Sequence, residues 1–158
     1  MYEEEQTFKW AIPLFLSIAL MTALPILFYY EKEDGILALV ILAAVLLFTC
    51  GLFFSMKQII RIDEQGVHYK QSPLINSFKT IPWGTIQNWE VKEISALKDF
   101  GGWGIRYTGS KTGYIMQGDF GLEMNTGKKR RIVLSVMNRG EVERVMETYV
   151  AYLRHGKM

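Results

Sequence analysis

Cysteine is nearly absent. Cys50 is the only one in 158 residues, so no disulfide can form within the chain, and cysteine says nothing of the redox compartment. Histidine is almost as scarce. His68 has no cysteine or acidic partner at ligand spacing, and His155 falls at the end of the last predicted helix, so neither a metal site nor a cofactor is expected. The chain also lacks a Gly-x-Ser-x-Gly elbow, a phosphate loop and a His-Glu-x-x-His pair. Its close carboxylate pairs, Glu90 with Glu93 and Glu141 with Glu143, read as solvated strand and helix faces. No nucleophile stands beside a base, and the expectation is a protein that is not an enzyme.

Charge is missing from two long stretches. Trp10 to Tyr30 and Ile36 to Met56 carry no formal charge, and only Glu31-Lys32-Glu33-Asp34-Gly35 separates them. A helix rising 1.5 Å per residue over such a run is roughly 30 Å long, about the thickness of a bilayer's hydrocarbon core. The runs are apolar on every side, unlike buried helices of a globular domain, which keep a polar face. They predict a two-helix transmembrane hairpin with spans at about 10–30 and 36–56. Trp10 and Tyr29-Tyr30 sit where aromatic rings favour a membrane interface. Pro13 falls in the first turn, and Pro25 lies deep enough to kink the helix or simply be tolerated there. Ala19 with Ala23 and Gly51 with Ser55 are four apart, a spacing that permits close helix contact. The acidic start, Met1-Tyr2-Glu3-Glu4-Glu5, does not suit a secretory signal.

Lys57, Arg61 and Lys70 follow the second run, against Lys32 alone in the link. That bias predicts a multi-pass cell-membrane protein with both termini cytoplasmic. The expected domains are 1–57, the hairpin, and 58–158, a separate domain. The mean hydropathy of +0.09 averages two unlike parts. Residues 57–158 carry a formal balance of +6 and residues 1–56 one of −4.

After Lys57 the apolar pattern changes to short alternating segments broken by turns. Strands are expected at Ile59–Asp63, Val67–Gln71, Phe78–Ile81, Ile86–Ile94, Ile105–Thr108, Gly113–Gln117, Phe120–Asn125 and Lys129–Val136. The period then becomes helical at Val142, Val145, Met146, Tyr149 and Leu153, with Asn138 and Glu141 placed for a capping box.

Four segments carry a resemblance. They are Ile62-Asp63-Glu64-Gln65-Gly66-Val67-His68-Tyr69, Ile81-Pro82-Trp83-Gly84-Thr85-Ile86, Gly101-Gly102-Trp103-Gly104-Ile105-Arg106 and Gly118-Asp119-Phe120-Gly121-Leu122-Glu123-Met124. In this order they resemble the bacterial membrane-anchored pleckstrin-homology-like (PH-like) domains, a family of largely uncharacterised proteins. The resemblance implies an α+β fold, in which the transmembrane hairpin precedes a PH-like bent β-barrel of about seven strands capped by a C-terminal α-helix. It implies no reaction.

The most suggestive cluster is Lys128-Lys129-Arg130-Arg131, which reads either as a solubilising hairpin tip or as a point of attraction to anionic lipid at the cytoplasmic face of a membrane. On a strand, alternate members face opposite sides. Arg106 and Lys111 are candidates to join it, and Trp103 is a candidate contact, with a buried anchor as its plainer reading. The expected function is a small integral membrane protein presenting a cytoplasmic PH-like domain as a protein-interaction or scaffolding module. Its partner would be a membrane or cytoplasmic protein, or a second copy. The alternative is an anionic lipid headgroup-binding module using residues 128–131. Nucleic acid is not an expected partner, because the basic field is too narrow.

Overall fold

The computed structural model describes residues 1–7, 17–23 and 35–155, with the side chains of 35–39, 53, 154 and 155 left out. The chain divides into two compact units, one made of Met1–Gln6 with Lys57–Met158 and one of Thr7–Met56.

In the second unit, residues 17–23 are helical and helix α1 runs Gly35–Ser55. Its hydroxyls turn back on the helix itself: Thr49 donates to the Val45 carbonyl at 2.7 Å and Ser55 to that of Leu52 at 2.7 Å. Leu47 and Phe48 are exposed. Among the described residues no helix is long and apolar enough to cross a membrane. This overturns the transmembrane hairpin. The integral membrane protein, its membrane partnership and its multi-pass localisation with cytoplasmic termini fall with it. So do the scaffolding and lipid-headgroup functions framed on that hairpin. Trp10, Pro13, Pro25, Tyr29, Tyr30 and residues 31–34 lie outside the described residues.

The first unit corrects the expected architecture as well. In place of a bent barrel of about seven strands, nine strands among the described residues form two sheets. The first sheet has the order β1-β2-β3-β4, made of Tyr2–Thr7, Lys57–Asp63, Gly66–Ser72 and Ile75–Pro82. The second has the order β5-β8-β9-β7-β6, made of Asn88–Glu93, Phe120–Asn125, Arg131–Val136, Lys111–Ile115 and Gly104–Thr108. The pairings β2–β3, β3–β4, β5–β8, β6–β7 and β8–β9 are antiparallel, and β7 runs parallel to β9. Short helix α2 covers Ala96–Phe100, and α3 covers Arg139–His155.

Alternation explains the first sheet. Ile60 and Ile62 of β2 are wholly buried, whereas Lys57, Ile59, Arg61 and Asp63 point the other way. Val67 and Tyr69 continue the buried face on β3. The turn between them is fixed by the Asp63 carboxylate, which accepts from the Gln65 N–H at 2.8 Å. Gly66 ends it with φ 147°, and a Cβ there would run into the Ile81 carbonyl. Only glycine meets both demands.

The N-terminal strand, which the expected hairpin had no place for, is stitched to both sheets. Glu5 pairs with Lys57 at 2.7 Å and Glu3 with Arg61 at 2.9 Å, tying β1 to β2. Gln6 is almost wholly buried. Its amide nitrogen donates to the Ser135 carbonyl at 2.7 Å, and its oxygen accepts from the Gln117 N–H at 2.8 Å and the Ser135 hydroxyl at 3.0 Å. Glu4 accepts from the Met137 N–H at 3.0 Å. These bonds satisfy the buried Gln6 carboxamide together with backbone groups near the ends of β7 and β9.

The sheets share one core. Ile60, Ile62, Val67 and Tyr69 meet Val91, Leu122, Met124 and Leu134, and α3 adds Val142 and Met146 from its apolar stripe. Full burial of such side chains is worth about 1.5–3 kcal/mol each. The Asn138 carboxamide oxygen caps α3, accepting from the Glu141 N–H at 3.2 Å. Strand β9 is buried on both faces, because a second cluster of Phe100, Ile115 and Val133 lies beneath α2. One feature of the main core is costly. Gln58 and Gln71 face each other across β2 and β3, both almost wholly buried, and none of their side-chain amide atoms has a partner.

Candidate functional site

A cleft of about 650 Å3 opens where the edge strand of each sheet meets the connection between β8 and β9. Strand β3 contributes Tyr69, β4 contributes Lys79 and Thr80, β6 contributes Tyr107, β7 contributes Thr112 and Tyr114, and the connection contributes Lys128, Lys129 and Arg130. Strand pairing explains part of this set. Tyr69 lies opposite Lys79, and Tyr107 lies opposite Thr112. The bend after Asn125 is held by its carboxamide oxygen, which accepts from the Gly127 N–H at 3.0 Å, and the bend brings 128–130 to the rim.

The cleft is cationic and is not neutralised from within. Lys79, Lys128, Lys129 and Arg130 are all exposed, and no acidic residue lines the cleft. Among the described residues none of the four forms an ion pair. Its walls are aromatic. The rings of Tyr69 and Tyr114 lie 4.6 Å apart at 53°, and the Tyr69 hydroxyl donates to that of Tyr114 at 3.3 Å. Burial pushes the Tyr69 phenol well above its usual range, and the Tyr114 bond adds to this, so the ring is neutral at any ordinary pH. Tyr107 is 68% exposed, and the Arg130 guanidinium lies 5.2 Å from its ring centre. That stacking holds one cation in place without cancelling its charge. The chemistry offered is four positive heads, hydroxyl groups and flat apolar faces, which suits an anionic ligand.

The basic run is divided by the strand. Arg131, on β9, turns away from the cleft and donates to Glu123 at 2.9 Å. Lys111 reaches the same carboxylate at 3.0 Å, and Lys92 makes a third ion pair with it. The Glu123 side chain is 5% exposed. Burial by itself would raise its pKa, but the bonds from Lys92, Arg131 and Lys111 prevail and hold it at about 2. Glu123 is therefore a charged anchor whose acceptors are occupied. Its sequence signal is weak, because Lys92 and Lys111 lie far from it in the chain.

Trp103 and Arg106 go elsewhere. Trp103 is half-buried and packs on the Phe100 cluster, and its carbonyl accepts from Arg106 Nε at 2.8 Å. A Cβ on Gly102, with φ 133°, would sit 3.1 Å from the Arg106 guanidinium, so this glycine makes room for that contact.

Two further places bring polar or apolar groups together. His68 bonds the Thr80 hydroxyl at 2.8 Å through Nδ1 and Asp63 at 2.9 Å through Nε2. Asp63, five residues away, is a partner the sequence reading passed over. Burial by itself would raise its pKa, but the bonds from His68 and from the Gln65 and Gly66 N–H groups together lower it. The order of groups is that of a nucleophile, base and orienting acid. Register accounts for it more simply: His68 and Thr80 are direct strand partners, and Asp63 also holds the adjoining turn. Among the described residues no group of His, Cys, Asp and Glu is arranged to hold a metal. An apolar groove of about 600 Å3 lies between Trp83, Ile86, Trp89, Val150 and Leu153, with the Trp83 indole donating to the Asp63 carbonyl at 2.9 Å.

No family model matches the chain, and neither a curated protein nor a solved structure matches it.

Proposed function

We propose that the β-rich unit is a non-catalytic recognition module whose cleft binds an anionic ligand. The observation that carries this reading is the gathering of Lys79, Lys128, Lys129 and Arg130 around a tyrosine-walled cleft with no acidic lining residue. Four like charges brought together repel, and folding gains nothing from their convergence. An arriving anion removes that repulsion and forms charge-assisted hydrogen bonds with the ammonium and guanidinium groups. The resemblance to PH-like domains belongs to the same proposal and rests on the four sequence segments alone.

Titration of the full chain with inorganic tripolyphosphate, followed calorimetrically at low salt, tests the reading. Binding is expected, weakening as salt screens the exposed charges. Lys129→Glu should weaken it about tenfold, while Lys98→Glu, outside the cleft, should leave it unchanged. Equal binding by the parent and Lys129→Glu proteins would refute the assignment of the anion to this cleft.

A further inference from the structure

The cleft opens beside β6, and β6 is an edge. Among the described residues β6 is bonded only to β7, so the ladder groups on its other side have no strand to meet. Tyr107, on this edge, is also the residue over which Arg130 stacks. The strand is five residues long, and its exposed members include Arg106, Tyr107 and Thr108. Unsatisfied edge groups are a template for another extended segment, and natural edges are commonly blocked by inward charges, prolines or covering loops. Gly104–Thr108 contains no proline or acidic residue. Its neighbouring charges are instead uniformly positive on the cleft side, at Lys79, Lys128, Lys129 and Arg130.

We infer that the ligand of this cleft is an acidic segment of a partner protein, bound in extended form as an added strand on β6. This rests on the anion-binding reading above and goes further by naming the polymer. An added strand places alternate side chains on one face, about 7 Å apart. Glutamates at alternate positions would therefore present a row of carboxylates to the lysines, while the backbone supplies the ladder that β6 lacks. Main-chain bonding gives such a complex its register, and charge selects the sequence. Tyr107 lines the same cleft as the lysines and offers its ring to the aliphatic stems of those glutamates.

The test compares three probes on the full chain: a peptide of alternating glutamate and valine, a peptide of alternating glutamate and proline with the same charge, and tripolyphosphate. Proline cannot donate to a ladder. The glutamate–valine peptide is expected to bind at least about tenfold more tightly than the glutamate–proline peptide. It should also slow amide exchange at alternate residues of β6, those whose N–H groups face away from β7. Equal affinity of the two peptides, or tighter binding without slowed exchange on β6, overturns the strand-addition inference. Tripolyphosphate binding with neither peptide binding also overturns it, and leaves the anion-binding reading standing. Failure of all three probes removes both.

Discussion

Replacing Glu123 by glutamine keeps the shape of a buried side chain and deletes the charge that holds Lys92, Lys111 and Arg131 together. The carboxyl is held at about 2, against 4.5 for a free glutamate. That difference corresponds to roughly 3 kcal/mol in favour of the charged form. The raised pKa of Lys92 arises first from its bond to Glu123, so it expresses the same interaction and adds nothing to the sum. Because the folded-state pKa lies below the unfolded one, the stabilisation is complete above pH 4.5 and is lost as pH falls toward 2. For Glu123→Gln we expect a loss of about 3 kcal/mol at pH 7, or roughly 10–20 °C in melting temperature for a domain near 100 residues. The gap should close at pH 2. Urea unfolding followed by tryptophan fluorescence, run on parent and variant at both pH values, measures it. An unchanged midpoint at pH 7 would show that the three cations contribute no net stabilisation. A gap as wide at pH 2 as at pH 7 would show that the loss comes from packing rather than charge.

Gln6→Ala strips the side chain that answers Ser135 and Gln117, and should cost about 2–3 kcal/mol by the same unfolding assay. A loss under about 0.5 kcal/mol would mean that β1 is not an integral part of the β unit. The double change Gln58→Leu with Gln71→Leu should act in the opposite direction. It replaces four unpartnered amide atoms with apolar surface and is expected to raise the urea midpoint. A lowered midpoint would show that the glutamines have partners in solution, for example buried water.

Local order was the part of this fold written most plainly in the sequence. Asp63 to Gly66 reads as a hairpin turn because an Asx carboxylate and a positive-φ glycine stand at the needed spacing, and β2 and β3 flank it. Phe120–Asn125 alternates cleanly and is β8. The stripe from Val142 to Leu153, with Asn138 before it, is helix α3 and its cap. Three features were hidden for physical reasons. Tyr2–Thr7 is rich in glutamate, a poor strand former, and its partners lie some fifty residues away on β2 and more than a hundred away near β9. The parallel pairing of β7 with β9 is a long-range contact that no local pattern encodes. Apolar content in residues 10–56 argued for lipid, but hydropathy reports preference for a non-aqueous setting and does not by itself specify a span. Within the candidate site, the run 128–131 was visible as charge. Its division between a cleft and the Glu123 anchor depends on strand alternation, and Lys79, Tyr69 and Tyr107 join only through tertiary packing.

The Lys57–Glu5 ion pair brings together two points fifty-two positions apart in the chain. Everything between β1 and β2 is consequently an excursion that leaves and re-enters one β unit at neighbouring strands. Truncation at residue 57 would discard a native strand along with the excursion. Splicing Gln6 to Lys57 through a short hairpin should conserve the strand and shorten the closed loop more than tenfold, relieving about 2 kcal/mol of closure entropy. The segment between the two strands is thus, in engineering terms, a removable cassette with its seam already marked by a salt link.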